Sequence, residues 1–519
     1  MRALDIVVIA VYICILVGIG IYFARRQKTT EDYFVASRSV PGWAMGLSLL
    51  ATIITSVTFI AYPGSAYAGD WSLLVPGIMF VLVLVLIGAI VVPFFRHVVH
   101  MSAYEYFGKR FGNGVRLYSS FAFAIGHFSK MGFVFYLLAL TISSMTGWPV
   151  DRVILMTAVV TIFYTMLGGV EAVVWSDVVQ GFVLWSGIII SIGFLLLLPP
   201  QGPGAVWNEA WSHHKMSLGS LALHFDKPTI IVLGIYGFFF YLQKYTADQT
   251  VVQRYLIART DKSALRGIAL GAALCLPVWT AFMLIGSLLW SFYRLTGEKL
   301  PPTIQKADQV FPHFLVTHIP AGVAGLFIAA LLGSAMAMLA SDMNCLAVIG
   351  VEDFYRLARP SATDRDRLRA GRVIVALSGI AAAMVAIKLA HNNGSALSLY
   401  YTITAVVAGG LAGLFMLAFL VKRATRAGAI AGIAANLAFT LWATLTLNGK
   451  TLDLGRFNFP LHDYMIGAIG HVVLLIVGVV VSLLVAGNVE GEDLTLSGWR
   501  KRLRAETYPL EASAVSKFD

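Results

Sequence analysis

The chain has 519 residues, of which 58% are hydrophobic and only 13% charged, with a mean hydropathy of +0.79 and a formal net charge of +11. So apolar a chain lacks the polar surface that a water-soluble fold needs, which makes a lipid bilayer its solvent. The positive charge is spread over many short loops, which argues against nucleic acid as a partner, since such binders gather basic residues on one face.

Thirteen apolar runs approach the roughly 20 residues that carry an α-helix across about 30 Å of hydrocarbon. They lie near 3–23, 41–63, 71–95, 118–146, 152–168, 175–199, 229–250, 267–293, 318–349, 371–391, 397–421, 427–447 and 463–487. The runs are too long and continuous for the alternating strands of a β-barrel. They predict an all-α polytopic membrane protein with about 13 transmembrane helices. The first run is no cleaved leader: it holds Asp5 and ends in Arg25, Arg26 and Lys28, as a retained helix does.

Several runs carry more polarity than an anchor requires. The second packs Ser48, Thr52, Thr55, Ser56 and Thr58 ahead of Pro63 and Gly64, which predicts an interrupted helix with exposed carbonyls; single hydroxyls of this kind also serve as helix glue. The fourth has His127 and Lys130 one turn apart on one face. Lys130 lies about twelve residues, some 18 Å, into its span, where it either binds an anion or snorkels to an interface. The sixth carries Asp177. The seventh has Gly234 and Gly237, then Lys244, Asp248 and Gln249, and reads as a second interrupted helix. Two such helices five runs apart point to a transporter built from inverted repeats, helices 2–6 and 7–11. The ninth run contains GSAMAMLASDMN, residues 333–344, whose Asp342 costs roughly 2.5–3.5 kcal/mol at a helix centre unless it finds a cavity, a partner or a proton. Asn344 reads as structural glue.

Lys and Arg concentrate on the segments that an outside N-terminus and a cytoplasmic C-terminus would place inside the cell, with clusters at Arg254, Arg259, Lys262, Arg266 and at Arg365, Arg367, Arg369, Arg372. Beyond the first two residues of a run, where Arg152 and Arg372 stand, only Lys130, Lys244 and Lys388 fall within runs. Cys14, Cys275 and Cys345 lack metal-ligand spacing and read as packing residues. No HExxH, GxSxG or Walker motif appears, so an enzyme is not expected.

Five segments resemble the sodium/solute symporter family, which includes sodium/glucose, sodium/proline and sialic-acid transporters. They are EDYFVASRSVPGWAMGLSLLATIITSVTFIAYPGSAYAGDW (31–71), GGVEAVVWSDVVQGF (168–182), TADQTVVQRYLIARTDKSALRG (246–267), GLFIAALLGSAMAMLASDMNCLAVIGVEDFYR (325–356) and AGLFMLAFLVKRATRAGAIAGI (412–433). The resemblance implies a LeuT-type five-plus-five inverted repeat: a first helix outside the core (1–28), a core over 29–433 with repeats at about 41–199 and 229–421, two further helices within 427–487, and a cytoplasmic tail from 488. It implies secondary active symport of a small organic solute across the cell or bacterial inner membrane, with Na+ or H+ as the coupling ion and no other cofactor.

The cation site that the resemblance implies takes backbone carbonyls from Ala51, Ile54 and Ser334, with the family acid Asp177 nearby. The family carries a hydroxyl pair where this chain has Ala337 and Met338, and neither methyl nor thioether suits a hard cation. Asp342 stands where the family usually has a small or hydroxylic residue. Coupling then rests on sodium held by fewer oxygens, or on protons through Asp342, which alternatively pairs with a nearby arginine. For the solute, the resemblance implies a basic residue that binds a carboxylate, here Lys130. Thr55, Thr58 and Tyr236 are further contacts, Phe59 and Phe239 candidate gates, and His127 a core histidine or a proton carrier. A transporter-like sensor is a third possibility.

Overall fold

A computed structural model describes residues 3–25, 27–302, 304, 306–391, 410–449, 451–485 and 491–507. The long and broken helices are numbered α1 (Ala3–Ala24), α2 (Gly42–Ile53), α3 (Ser56–Ala68), α4 (Leu74–Val98), α5 (Asn113–Thr146), α6 (Val150–Leu197), α7 (Ile230–Ala247), α8 (Gln249–Ile257), α9 (Asp261–Thr296), α10 (Val323–Ile349), α11 (Asp364–His391), α12 (Leu411–Leu420), α13 (Arg426–Thr446), α14 (Tyr464–Leu484) and α15 (Leu496–Thr507). Ten helices among the described residues are long and apolar enough to span a membrane, or eleven when α2 and α3, bent by 59°, form one span. Most of the run at 397–421, and the tail beyond 507, lie outside the described residues; α12 is the end of that run.

The runs at 152–168 and 175–199 are two helices that meet directly at a kink, with no loop between them. Together they make up α6, whose 48 residues would reach about 72 Å if straight, more than twice the roughly 30 Å hydrocarbon thickness and so long enough for two spans. Gly169 divides it, with φ +58° and ψ −158°, a conformation open in practice to glycine alone. A Cβ there would sit 2.6 Å from the Tyr33 carbonyl oxygen.

Both interruptions exist, at Thr55 and Asp248 among the polar residues that signal them, and not at the Pro and Gly residues beside these. The first falls at Ile54 and Thr55, ahead of Pro63, which α3 absorbs. Thr55 turns its N–H to Thr58 Oγ1 at 3.4 Å instead of extending the α2 ladder. In the seventh run, α7 passes unbroken through Gly234 and Gly237, and the break comes at Asp248, in extended conformation with φ −100° and ψ 115°. Gly237 serves packing instead, since a Cβ there would lie 2.7 Å from Pro76 Cα on α4. The seventh helix then continues as α8, whose nine residues are all buried. This corrects the placing of Arg254 among cytoplasmic loop residues: it is fully buried.

At the centre, α10 is buried along almost its whole length, from Ala324 through Ile349 with only one residue, Leu326, outside that set. It packs between α1, α6 and α11, and its small residues let these helices approach. Cys275 and Cys345 are buried as expected, whereas Cys14 is exposed on the outside of the bundle. Near the end of the chain, α15 seats Trp499 against Phe94 of α4, with ring centroids 5.6 Å apart.

Candidate functional site

Two polar clusters lie where the broken helices meet α10. The first is a cage around Arg254. Its Nη2 donates to Ser341 Oγ (2.7 Å), Thr52 Oγ1 (2.8 Å) and Ser48 Oγ (3.2 Å), and pairs with Asp177 Oδ2 at 3.4 Å. Ser48 also donates to Asp177 Oδ2 at 2.5 Å. The four oxygens come from α2, α6 and α10, so one nitrogen on α8 ties three other helices together. Asp177, expected to serve a mobile cation, therefore already has one built into the chain. Buried charges require such partners.

The second cluster alternates in sign. Lys244 on α7 lies 2.5 Å from Asp248 Oδ2. Asp248 Oδ2 lies 3.2 Å from His127 Nε2, and His127 Nδ1 lies 2.8 Å from Asp342 Oδ1. Lys130 Nζ closes the series at 2.9 Å from Asp342 Oδ2. Asp248 caps α8 as well: its Oδ1 accepts from the Thr250 N–H at 2.9 Å and from Thr250 Oγ1 at 2.5 Å. Phe123 covers the His127 ring, centroids 3.8 Å apart. Asp342 thus pairs with Lys130 and His127, not with an arginine, and Lys130 does not snorkel to an interface. The side chain of Lys130 remains 23% exposed while that of Asp342 is wholly enclosed, so Lys130 is the member of this pair that borders open space.

The other sequence-derived positions divide. Ala51 and Ile54 lie at the end of α2, which meets α10 through the 3.2 Å contact of Thr52 Oγ1 with Ser341 Oγ. Ala337 lies one turn before Ser341 on the same face, with Met338 beside it, both fully buried. Ser334 turns its hydroxyl back to the Leu331 carbonyl at 3.0 Å. Thr55 and Thr58 form the turn at the first break, and Phe59 packs against Phe282 and Phe311. Tyr236 stacks on Phe240 and on Tyr464 of α14, and Phe239 on His471 of the same helix; the Lys244 ammonium of the charged cluster lies over the Phe240 ring, 5.7 Å from its centroid. Asn344 accepts from Gln253 Nε2 at 2.8 Å, the glue expected of it. Sequence reasoning missed Arg254 and the pairing of Lys244 with Asp248. The available signal was VVQRYL, where Gln253 and Arg254 interrupt an otherwise apolar helix.

Comparison with known proteins accords with this geometry. The family model described as "Sodium:solute symporter family" matches residues 33–435. The sodium/sialic acid symporter NanT of Aliivibrio fischeri is 30% identical over 508 residues, 97% of this chain and 98% of that protein. The sodium/glucose cotransporter of Vibrio parahaemolyticus is also 30% identical, over 85% of this chain and 84% of its own length. Among solved structures, a Na+-coupled sialic acid symporter in a substrate-bound, outward-open state superposes with a TM-score of 0.85 at 30% identity, covering 94% of this chain and 99% of that one. The fold is the LeuT-type arrangement of two inverted five-helix repeats.

Proposed function

Because the chain belongs to the sodium:solute symporter family and is a sodium-coupled symporter of a small organic solute, not an enzyme, we propose that the solute is an organic anion, a carboxylate of the sialic acid kind, held by Lys130. The observation that carries this is the cationic, partly exposed side chain of Lys130 beside an enclosed Asp342; Thr55 and Thr58, at the first break, offer hydroxyls to the rest of the solute. Two relatives of equal identity are named for sialic acid and for glucose, and a cation in the site favours the acid. Purified protein in proteoliposomes with an inward sodium gradient should accumulate labelled N-acetylneuraminate and leave glucose outside. Accumulation of glucose with exclusion of the acid would refute the proposal.

On this reading sodium sits at the end of α2 facing α10, on the carbonyls of Ala51, Ile54 and Ser334. Ala337 and Met338 add no oxygen, so sodium activates weakly. Ala337→Ser with Met338→Thr should lower the half-saturating sodium concentration, roughly fivefold per restored hydroxyl at about 1 kcal/mol per polar contact. Low-millimolar activation of the unmodified protein, unmoved by the two substitutions, would contradict it.

The repeats are taken as 41–199 and 229–421, in a cell or bacterial inner membrane with the N-terminus outside. In a Cys14→Ala background, cysteines placed near residues 208 and 448 should label from outside, and one near Ser497 only after permeabilisation. The reverse pattern at two of these sites would invert the topology.

A further inference from the structure

We propose that His127 is the proton carrier of this site, and that a proton on its Nδ1 is what frees Lys130 to take the carboxylate of the solute. The ring lies between two acids, 2.8 Å from Asp342 Oδ1 at Nδ1 and 3.2 Å from Asp248 Oδ2 at Nε2. A neutral imidazole has one donor and one acceptor, and ionised carboxylates only accept. With a single ring proton, the bare nitrogen would turn its lone pair toward a carboxylate in a buried place, and at Nδ1 the group near enough to fill it is the Lys130 ammonium, 3.1 Å away.

The second proton has no better seat on the acids. Asp248 already accepts on both oxygens, from Lys244 and His127 at Oδ2 and from the Thr250 N–H and hydroxyl at Oδ1, which fills its acceptor sites. Asp342 Oδ1 accepts from the Lys130 ammonium at 3.1 Å, and Oδ2, which makes no hydrogen bond among the described residues, lies 2.9 Å from the same ammonium, so a proton on either oxygen would stand beside a cation. The ring is where it fits. The ionisable groups around the ring are Lys130 on its own helix, Asp342 and Cys345 on α10, Lys244 and Asp248 at the second break, and Tyr104 behind Asp248. Arg254 on α8 is held in the neighbouring cage.

Lys130 connects the proton to the solute. Its Nζ lies 3.1 Å from His127 Nδ1 as well as beside Asp342. When the ring is neutral and gives its single N–H to Asp248, Nδ1 presents a lone pair that the ammonium fills, and Lys130 is held twice. When a proton from the bathing solution occupies Nδ1, the ring itself donates to Asp342 Oδ1, and Lys130 has lost one of its two acceptors. Lys130, Lys244 and His127 then stand against Asp248 and Asp342, one positive charge in excess. A monoanionic carboxylate restores neutrality, and leaves the site together with the proton on the opposite side. Proton and carboxylate therefore favour each other's binding, by the same factor in each direction.

The first test does not depend on the identity of the solute. Protein labelled with 15N in its histidine rings is titrated from about pH 5 to about pH 9, the range in which imidazole changes charge. The His127 signal, identified by its loss in His127→Gln or His127→Asn, should show both nitrogens protonated at the acid end and lose one proton within the range. A ring with one bare nitrogen throughout overturns the proposal. The second test rests on the carboxylate assignment above and uses N-acetylneuraminate as probe. Its apparent Kd should rise about tenfold per pH unit above the titration, as linkage to one proton demands, and be flat with pH in the His127→Gln variant. Tight binding that is equally flat in the unmodified protein overturns the linkage. Failure of the probe to bind at any pH, with the ring signature present, rejects the carboxylate assignment and the link to the solute while the proton seat stands.

Discussion

Arg254→Leu destabilises the protein by about 3–5 kcal/mol, the scale for breaking a buried ion pair from one side. The guanidinium is fully enclosed, and its Nη2 serves Ser48, Thr52, Ser341 and Asp177 together. Its removal strands Asp177 as a buried charge that keeps, among the described residues, the Ser48 hydroxyl as its donor, and unties α8 from α2, α6 and α10. Asp177→Asn in the same chain removes the stranded charge, so the double variant should lose less than the sum of the single losses, with a coupling of about 0.5–3 kcal/mol, as for residues in direct contact. Thermal unfolding in detergent measures all three. Additive losses would mean that the pair contributes no more than two separate buried side chains.

Lys130→Ala abolishes uptake of the carboxylate while the protein remains inserted. A hydrogen bond to a charged group contributes about 1.5–3 kcal/mol, which is about 10- to 150-fold in affinity. The alanine variant also leaves Asp342 with His127 as its remaining partner at 2.8 Å, so the site changes charge as well as shape. Lys130→Arg retains part of the transport, because the charge survives while a planar fork replaces a compact ammonium. The assay is initial uptake of N-acetylneuraminate at a fixed sodium gradient, with monodisperse elution of each variant as the check on folding. Unchanged uptake by the alanine variant would remove Lys130 from the substrate site.

The spans were legible in the sequence because a bilayer sets their length and composition, so an apolar run needs no tertiary information to be recognised. Interruption of the second and seventh runs was legible too, from polarity at corresponding places. Their positions were legible in part, since Thr55 and Asp248 stand among those polar residues. Pro63 and Gly237 look like breakers, yet Pro63 is accommodated within α3 and Gly237 admits α4. The breaks occur where a side chain replaces a lost backbone partner, Thr58 at the first and Asp248 at the second. Arg254 escaped because burial of a cation depends on acceptors more than 70 positions away in the sequence, which no local pattern displays. The pairing of Lys130 with Asp342 across 212 positions was equally out of reach. What the sequence did offer was the anomaly of two charged residues in apolar surroundings, and the fold pairs them with each other.

A sodium ion that enters on one side and leaves on the other crosses the whole membrane potential, about 2.3 kcal/mol for each elementary charge at 100 mV. The guanidinium in the Ser48, Thr52, Ser341 and Asp177 cage is bonded to its own backbone, and any displacement it makes in one half of a transport cycle is reversed in the other. It places a positive charge inside the bundle without adding to the charge moved per turnover. Steady current across the membrane therefore counts only the released ions and the solute, while Arg254 contributes solely to the brief displacement current that follows a voltage step.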